Sequence, residues 1–147
     1  MLKIAGELSA KTLVFDIEPL VAYWDSGQDT LDQGLTVVLA KAVTVPGVAV
    51  VCFATNSLRR PTTVPSHPGV RVVYLASARK PLWTTPYAGF PRPGVVIGDQ
   101  IVTDGLLARR LGYTFLDYRP AGIHVPWGPR LLNYGGRLAR PLLFTRH

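Results

Sequence analysis

Apolar residues in this chain come in short unbroken runs separated by longer mixed stretches. The runs at Thr12 to Phe15, Val48 to Ala54, Val70 to Leu75, Gly94 to Ile97 and Thr114 to Asp117 are continuous rather than alternating, the pattern of strands buried on both faces in a parallel sheet. Helical periodicity runs from about Thr30 to Val43 and from about Ile101 to Leu111, where Gly112 is a good C-cap. Strand alternating with helix predicts an α/β fold: a Rossmann-like, three-layer, doubly wound parallel sheet of about five strands. Two crossovers read as poor helices. Residues 57–69 contain Pro61, Pro65 and Pro68, and residues 81–93 contain Pro81, Pro86, Pro91 and Pro93, so each holds at most a turn or two. Trp83, Tyr87 and Phe90 either fill the gap that leaves on the sheet face or form a contact with another chain. From about Gly122 the pattern turns irregular, with a basic amphipathic segment from Arg130 to Phe144 interrupted by Gly135-Gly136 and Pro141. The expected organisation is one core, 1–121, followed by a basic tail, 122–147, that is not an independent domain.

Composition narrows the class. With 147 residues and 48% hydrophobic content, the chain can bury one sizeable core. No stretch approaches the roughly 20 apolar residues needed to cross a bilayer, and the opening Met-Leu-Lys-Ile-Ala-Gly-Glu lacks a signal-peptide core, so a cytoplasmic protein is expected. Cys52 is the only cysteine, which excludes an intrachain disulfide and suggests an inert buried thiol. His67, His124 and His147 show no metal-ligand spacing. A net charge of +7 points to an anionic partner. After Asp117 the chain has no acid, while Arg119, Arg130, Arg137, Arg140 and Arg146 follow. With Trp127, Leu131, Leu132, Leu138, Leu142 and Leu143, that tail either leans on an anionic membrane surface or packs back on the sheet. Nucleic acid is disfavoured, because no aromatic and basic interleaving accompanies the charge. A homo-oligomer stays open.

The chemistry is expected at the strand ends, because doubly wound sheets gather ligands outside the carboxyl ends of their strands. There the chain places Asp16 and Glu18, Thr55-Asn56, Lys80, and Asp99 with Asp104. A single Asp at such a position often only caps a helix or a turn; the ordered set fits one reaction. Hydrolysis of a phosphate monoester through a covalent intermediate needs an anionic nucleophile, a cation, donors for the phosphoryl oxygens and an acid for the leaving group. Asp16 supplies the nucleophile. Thr55 and the Asn56 backbone N–H supply donors, Lys80 neutralises, and Glu18 protonates the leaving oxygen. Asp16 and Asp99 suit Mg²⁺, which prefers an all-oxygen shell. A receiver domain also combines acids, a threonine and a Lys-Pro, but its lysine comes last, whereas here Asp99 follows Lys80.

The set Phe15-Asp16-Ile17-Glu18-Pro19-Leu20, Thr55-Asn56, Lys80-Pro81 and Gly98-Asp99-Gln100-Ile101-Val102-Thr103-Asp104 resembles the haloacid dehalogenase (HAD) phosphatase superfamily. The nearest likeness is to its small class IIIA branch, the YqeG-like family, over about residues 10 to 120. The resemblance implies a HAD-like fold and Mg²⁺-dependent hydrolysis through an aspartyl phosphate, with phosphatidylglycerophosphate as the candidate substrate. It implies Asp16 as nucleophile, Thr55 and Lys80 as phosphate-binding positions, Asp99 as metal-binding acid and Asp104 as supporting acid. Two positions depart from the family pattern: Glu18 stands where a second aspartate is usual, and Leu20 where a threonine is. An alternative reading follows, a catalytically impaired HAD-like domain serving as a binding module. Only 38 residues separate Asp16 from Thr55, and 24 separate Thr55 from Lys80. No cap domain fits, so the site is expected to be open to a large phosphorylated substrate.

Overall fold

The structure, a computed structural model, describes residues 1–119; the basic tail expected at 122–147 lies outside the described residues. Five parallel strands form one sheet in the order β3-β2-β1-β4-β5: β1 Thr12–Asp16, β2 Val50–Ala54, β3 Arg71–Leu75, β4 Gly94–Gly98 and β5 Thr114–Asp117. The helices are α1 Leu2–Glu7, α2 Gln28–Ala42 and α3 Leu106–Leu111, with a 3-10 turn at Thr85–Tyr87 and a π-helical turn at Ile101–Gly105 leading into α3. From the central β1 the chain runs outward through β2 and β3, then crosses back to β4 and β5. The reversal falls between β1 and β4, the switch point where such sheets open a crevice.

Successive strand residues feed opposite layers, as the two-residue period of a strand requires. Leu13, Phe15, Val51, Phe53, Val95 and Ile97 pack with Leu31, Leu35, Leu39 and Ala42 of α2 and with Ala5 of α1. Val14, Val50, Cys52, Ala54 and Val96 face Leu107, Ala108 and Leu111 of α3, together with Tyr87, Phe90 and Tyr113. The result is the expected three-layer α/β architecture with helices on both faces. Among the described residues, no helix is long and apolar enough to cross a membrane.

The Pro-rich crossovers behave as their sequence dictates. Residues 57–69 contain no helix, and 81–93 hold only the single 3-10 turn. Tyr87 and Phe90 fill the space a helix would have occupied, buried and packed edge-to-face with ring centroids 5.9 Å apart. Trp83 does not share that role; it stays 47% exposed. Two expectations shift in detail. Helix α2 begins two residues earlier than its apolar periodicity suggested, with Asp29 in the first turn and Lys41 in the last, both favourable to the helix dipole. The second helix is not uniform: its first turn is π-helical, and only the remainder is α. It ends at Gly112, whose φ of +66° is the left-handed conformation a C-cap requires.

Candidate functional site

Every candidate residue named from the sequence lies at the carboxyl end of the sheet. Asp16 is the last residue of β1, Thr55 follows β2, and Asp99 follows β4 directly. Lys80 comes from the loop after β3, which is tied to the tip of β2. Ser77 N–H donates to Ser57 C=O and Ala78 N–H to Thr55 C=O, each at 2.8 Å. Ser77 and Arg79 take positive φ, 48° and 49°, and so turn the chain back toward the sheet. The side-chain amide of Asn56 then brackets Lys80: its Oδ1 accepts the Lys80 N–H at 2.7 Å and its Nδ2 donates to the Lys80 C=O at 3.1 Å. The expected role of Asn56 was a backbone donor to phosphate. Its side chain, a separate group from that backbone N–H, holds the lysine loop.

Lys80 projects into a buried ion network. Its Nζ lies 2.6 Å from Asp16 Oδ1 and 2.7 Å from Asp104 Oδ1, and Asp104 is completely buried. Burial alone disfavours the ammonium, but Asp104 and Asp16 together outweigh it and hold Lys80 above its ordinary range. Asp16 is pushed the other way. Burial first, and then the charge of Asp104, raise its carboxyl well above the usual carboxylate range, with Lys80 opposing both. Asp104 was expected only as a supporting acid; the structure makes it a direct partner of the lysine. Its position depends on the π-helical turn, where the N–H groups of Asp104 and Gly105 both reach the Gln100 carbonyl, at 2.8 and 3.3 Å. It depends also on Gly98, where a Cβ would come within 2.3 Å of Asp104 Oδ2.

Asp16, Asp99 and Asp104 each offer a carboxylate oxygen within 4.8 Å of the other two. With all three ionised, Lys80 cancels one negative charge and two remain, on carboxylates of which Asp16 and Asp104 are buried and Asp99 half-buried. A hard divalent cation matches both that charge and the all-oxygen donor set. The cluster can therefore hold a metal ion.

A second group of residues lies beside the first. Thr55, 1% exposed, has its Oγ1 2.7 Å from Glu18 Oε2 and 3.0 Å from Ser57 Oγ, and it accepts the Ser57 N–H at 3.0 Å. Glu18 is itself buried. One turn further along, Arg59 gathers the loop between β1 and α2. Its guanidinium donates to the carbonyls of Tyr23, Ser26 and Gly27 at 2.8, 2.6 and 3.0 Å. Ser57 and Arg59 were not named from the sequence. The only signal for Ser57 was a second hydroxyl two residues after Thr55, the spacing of a hydroxyl turn; Arg59 had none, because its partners are main-chain carbonyls.

Cys52 fits its expected role. It is fully buried in β2, and desolvation pushes its thiol up to about 12. Comparison with family models, with curated proteins and with solved structures returned no match.

Proposed function

We propose that this protein is a capless, Mg²⁺-dependent phosphate monoester hydrolase of the HAD type, working through an aspartyl phosphate. The observation that carries the reading is the Asp16–Lys80–Asp104 network with Asp99 beside it, set at the β1/β4 switch point. Asp16 attacks phosphorus while the bond to the leaving oxygen breaks, and Glu18 gives that oxygen its proton. Water then attacks the phosphorus of the acyl phosphate, Glu18 takes a proton from it, and phosphate leaves with the Asp16 carboxylate restored. Lys80, fixed on Asp16 Oδ1 at 2.6 Å, orients the nucleophile and offsets charge without moving during the reaction. Thr55 and Ser57 present hydroxyls to the phosphoryl oxygens. Asp16, Asp99 and Asp104 would hold the ion, which when bound supplies charge neutralisation to the transferring group.

Phosphatidylglycerophosphate remains the candidate substrate, on family resemblance alone. The test is phosphate release with Mg²⁺ and with chelator, for the full chain and for Asp16→Asn, on phosphatidylglycerophosphate vesicles and on an aryl phosphate. Metal-dependent turnover that Asp16→Asn abolishes is the expected result. A second reading, a binding domain of the same ancestry, is favoured by one observation: the Glu18 carboxylate is tied to Thr55 rather than directed into open space. Absence of turnover from folded, metal-binding protein, restored by Glu18→Asp with Leu20→Thr, would establish that reading in place of the first.

A further inference from the structure

We infer that Glu18 gates the anion pocket: the Thr55 hydroxyl serves either the Glu18 carboxylate or a phosphoryl oxygen, and an arriving phosphate must displace Glu18 to bind. The inference rests on the phosphatase reading of this site and assigns Glu18 a task ahead of its proton transfer.

The geometry leaves the threonine one proton to give. Thr55 Oγ1 already accepts the N–H of Ser57 at 3.0 Å, so what remains is its own O–H. Two acceptors compete for it, Glu18 Oε2 at 2.7 Å and the neutral Ser57 Oγ at 3.0 Å. The shorter, charged acceptor is the stronger. A phosphoryl oxygen is likewise an acceptor only, and likewise anionic. It cannot share that proton with Glu18, and the two negative charges repel in a pocket where Thr55 is 1% and Glu18 7% exposed. Occupation of the pocket by phosphate and attachment of Glu18 to Thr55 therefore exclude each other.

The consequence is a coupling between binding and acid delivery. Glu18 sits on the turn leaving β1, two residues beyond the nucleophile. Its carboxylate is held against the end of β2 by Thr55; once phosphate takes the Thr55 hydroxyl, that carboxylate is released, takes up a proton from solvent or from the phosphate monoester monoanion, and gives it to the leaving oxygen. The extra methylene of glutamate over aspartate supplies the reach for this second position. A shorter acid would give up the hold on Thr55 and leave the pocket open at all times.

The test is binding of inorganic phosphate in the presence of Mg²⁺, measured by calorimetry on the full chain and on Glu18→Ala, Glu18→Asp, Thr55→Val and the Glu18→Ala/Thr55→Val pair, each first shown to unfold cooperatively. Release of a charge-assisted hydrogen bond predicts about tenfold tighter phosphate binding by Glu18→Ala. Glu18→Asp should move in the same direction and Thr55→Val should bind more weakly. In the Thr55→Val background the gain from Glu18→Ala should fall to the part that charge repulsion alone supplies. Equal affinity in Glu18→Ala and the parent chain would overturn the gate, as would an undiminished gain in the Thr55→Val background, which would reduce Glu18 to simple charge repulsion. Phosphate binding by none of the variants would overturn the phosphatase reading and the gate together, whereas binding by all of them with no dependence on Glu18 would remove the gate alone.

Discussion

Replacing Lys80 by methionine should cost this protein more stability than any other single substitution at the site, and the cost should shrink in acid. Methionine keeps the length and the apolar stem of the lysine but removes the charge between Asp16 and Asp104. Those carboxylates offer oxygens within 4.8 Å of each other and of Asp99. Two unit charges at that distance repel by about 3.5 kcal/mol at an effective dielectric of about 20, and breaking a buried ion pair by deleting one partner costs about 3–5 kcal/mol. A loss of that size should lower the midpoint of thermal unfolding by about 10–20 °C for a chain of this length.

The pH dependence follows from the direction of the Asp16 shift. Its carboxyl in the folded protein titrates well above its ordinary value of 3.8, and deleting Lys80 moves it further the same way. A raised acid costs nothing below its unfolded value and an increasing amount as pH rises through its folded value. Lys80 in the parent chain, raised above its ordinary 10.5, stays charged at all pH values below that, so the pH dependence of its contribution is that of the carboxylates it offsets. The difference between Lys80→Met and the parent should therefore be about 3–5 kcal/mol at neutral pH and smaller near pH 4, where Asp16, raised well above 3.8, is protonated. Urea unfolding at both pH values, with equal slopes for the two proteins, measures it. A neutral-pH difference below about 1 kcal/mol, the worth of an exposed pair, or one independent of pH, would refute the argument that the network is buried and net negative.

Three further outcomes follow from the same geometry. Mg²⁺ should raise the unfolding midpoint, with about 2.7 kcal/mol of added stability at a hundredfold excess over Kd; differential scanning fluorimetry should show that Asp99→Asn loses most of this metal response. Gly98→Ala places a Cβ 2.3 Å from Asp104 Oδ2, so it should cost about 1–3 kcal/mol in urea unfolding and weaken metal binding in calorimetry by pushing that carboxylate aside. Cys52, with its thiol pushed up to about 12 by burial, should resist alkylation at neutral pH in the folded protein and react at the rate of unfolding, as mass spectrometry over time would record.

The sheet was legible because its three central strands are buried on both faces, which writes continuous apolar runs into the sequence. Among the weakest of those readings is β3, like β5 an edge strand, whose residues from Val72 to Leu75 are only half-buried. Its run looked like a central strand because an apolar stretch carries no mark of how many neighbours it has. Helix α1 went unpredicted, since six residues are too few to display a helical period. The π-helical turn was equally hidden: one extra residue in a turn leaves no trace in composition. Of the site, the strand-end residues could be read, because topology alone brings them to one edge of the sheet. Their pairings could not. Asp104 and Lys80 are 24 residues apart, and nothing local announces that they meet. The Asn56 bracket and the Arg59 contacts depend on the shapes of loops whose partners are backbone groups, which any sequence offers.

The strand order also explains why the cation is a lysine and why its loop is so tightly tied. Lys80 follows β3, which lies two strands from β1, so a straight exit from β3 would leave the ammonium about 10 Å from Asp16 at ordinary strand spacing. The two positive-φ residues turn the loop inward, and the bonds from Ser77 and Ala78 carry it across the end of β2. That brings the Lys80 main chain to within one strand of Asp16, where Asn56 holds it. The remaining gap suits a long flexible stem ending in a compact charge that can donate in two directions, to Asp16 and to Asp104. The wider planar fork of arginine lacks that compactness. The residue at the far end of the sheet edge thus becomes the centre of the charge network, and the positions that place it there, Asn56, Ser77 and Arg79, form part of the site without touching a carboxylate.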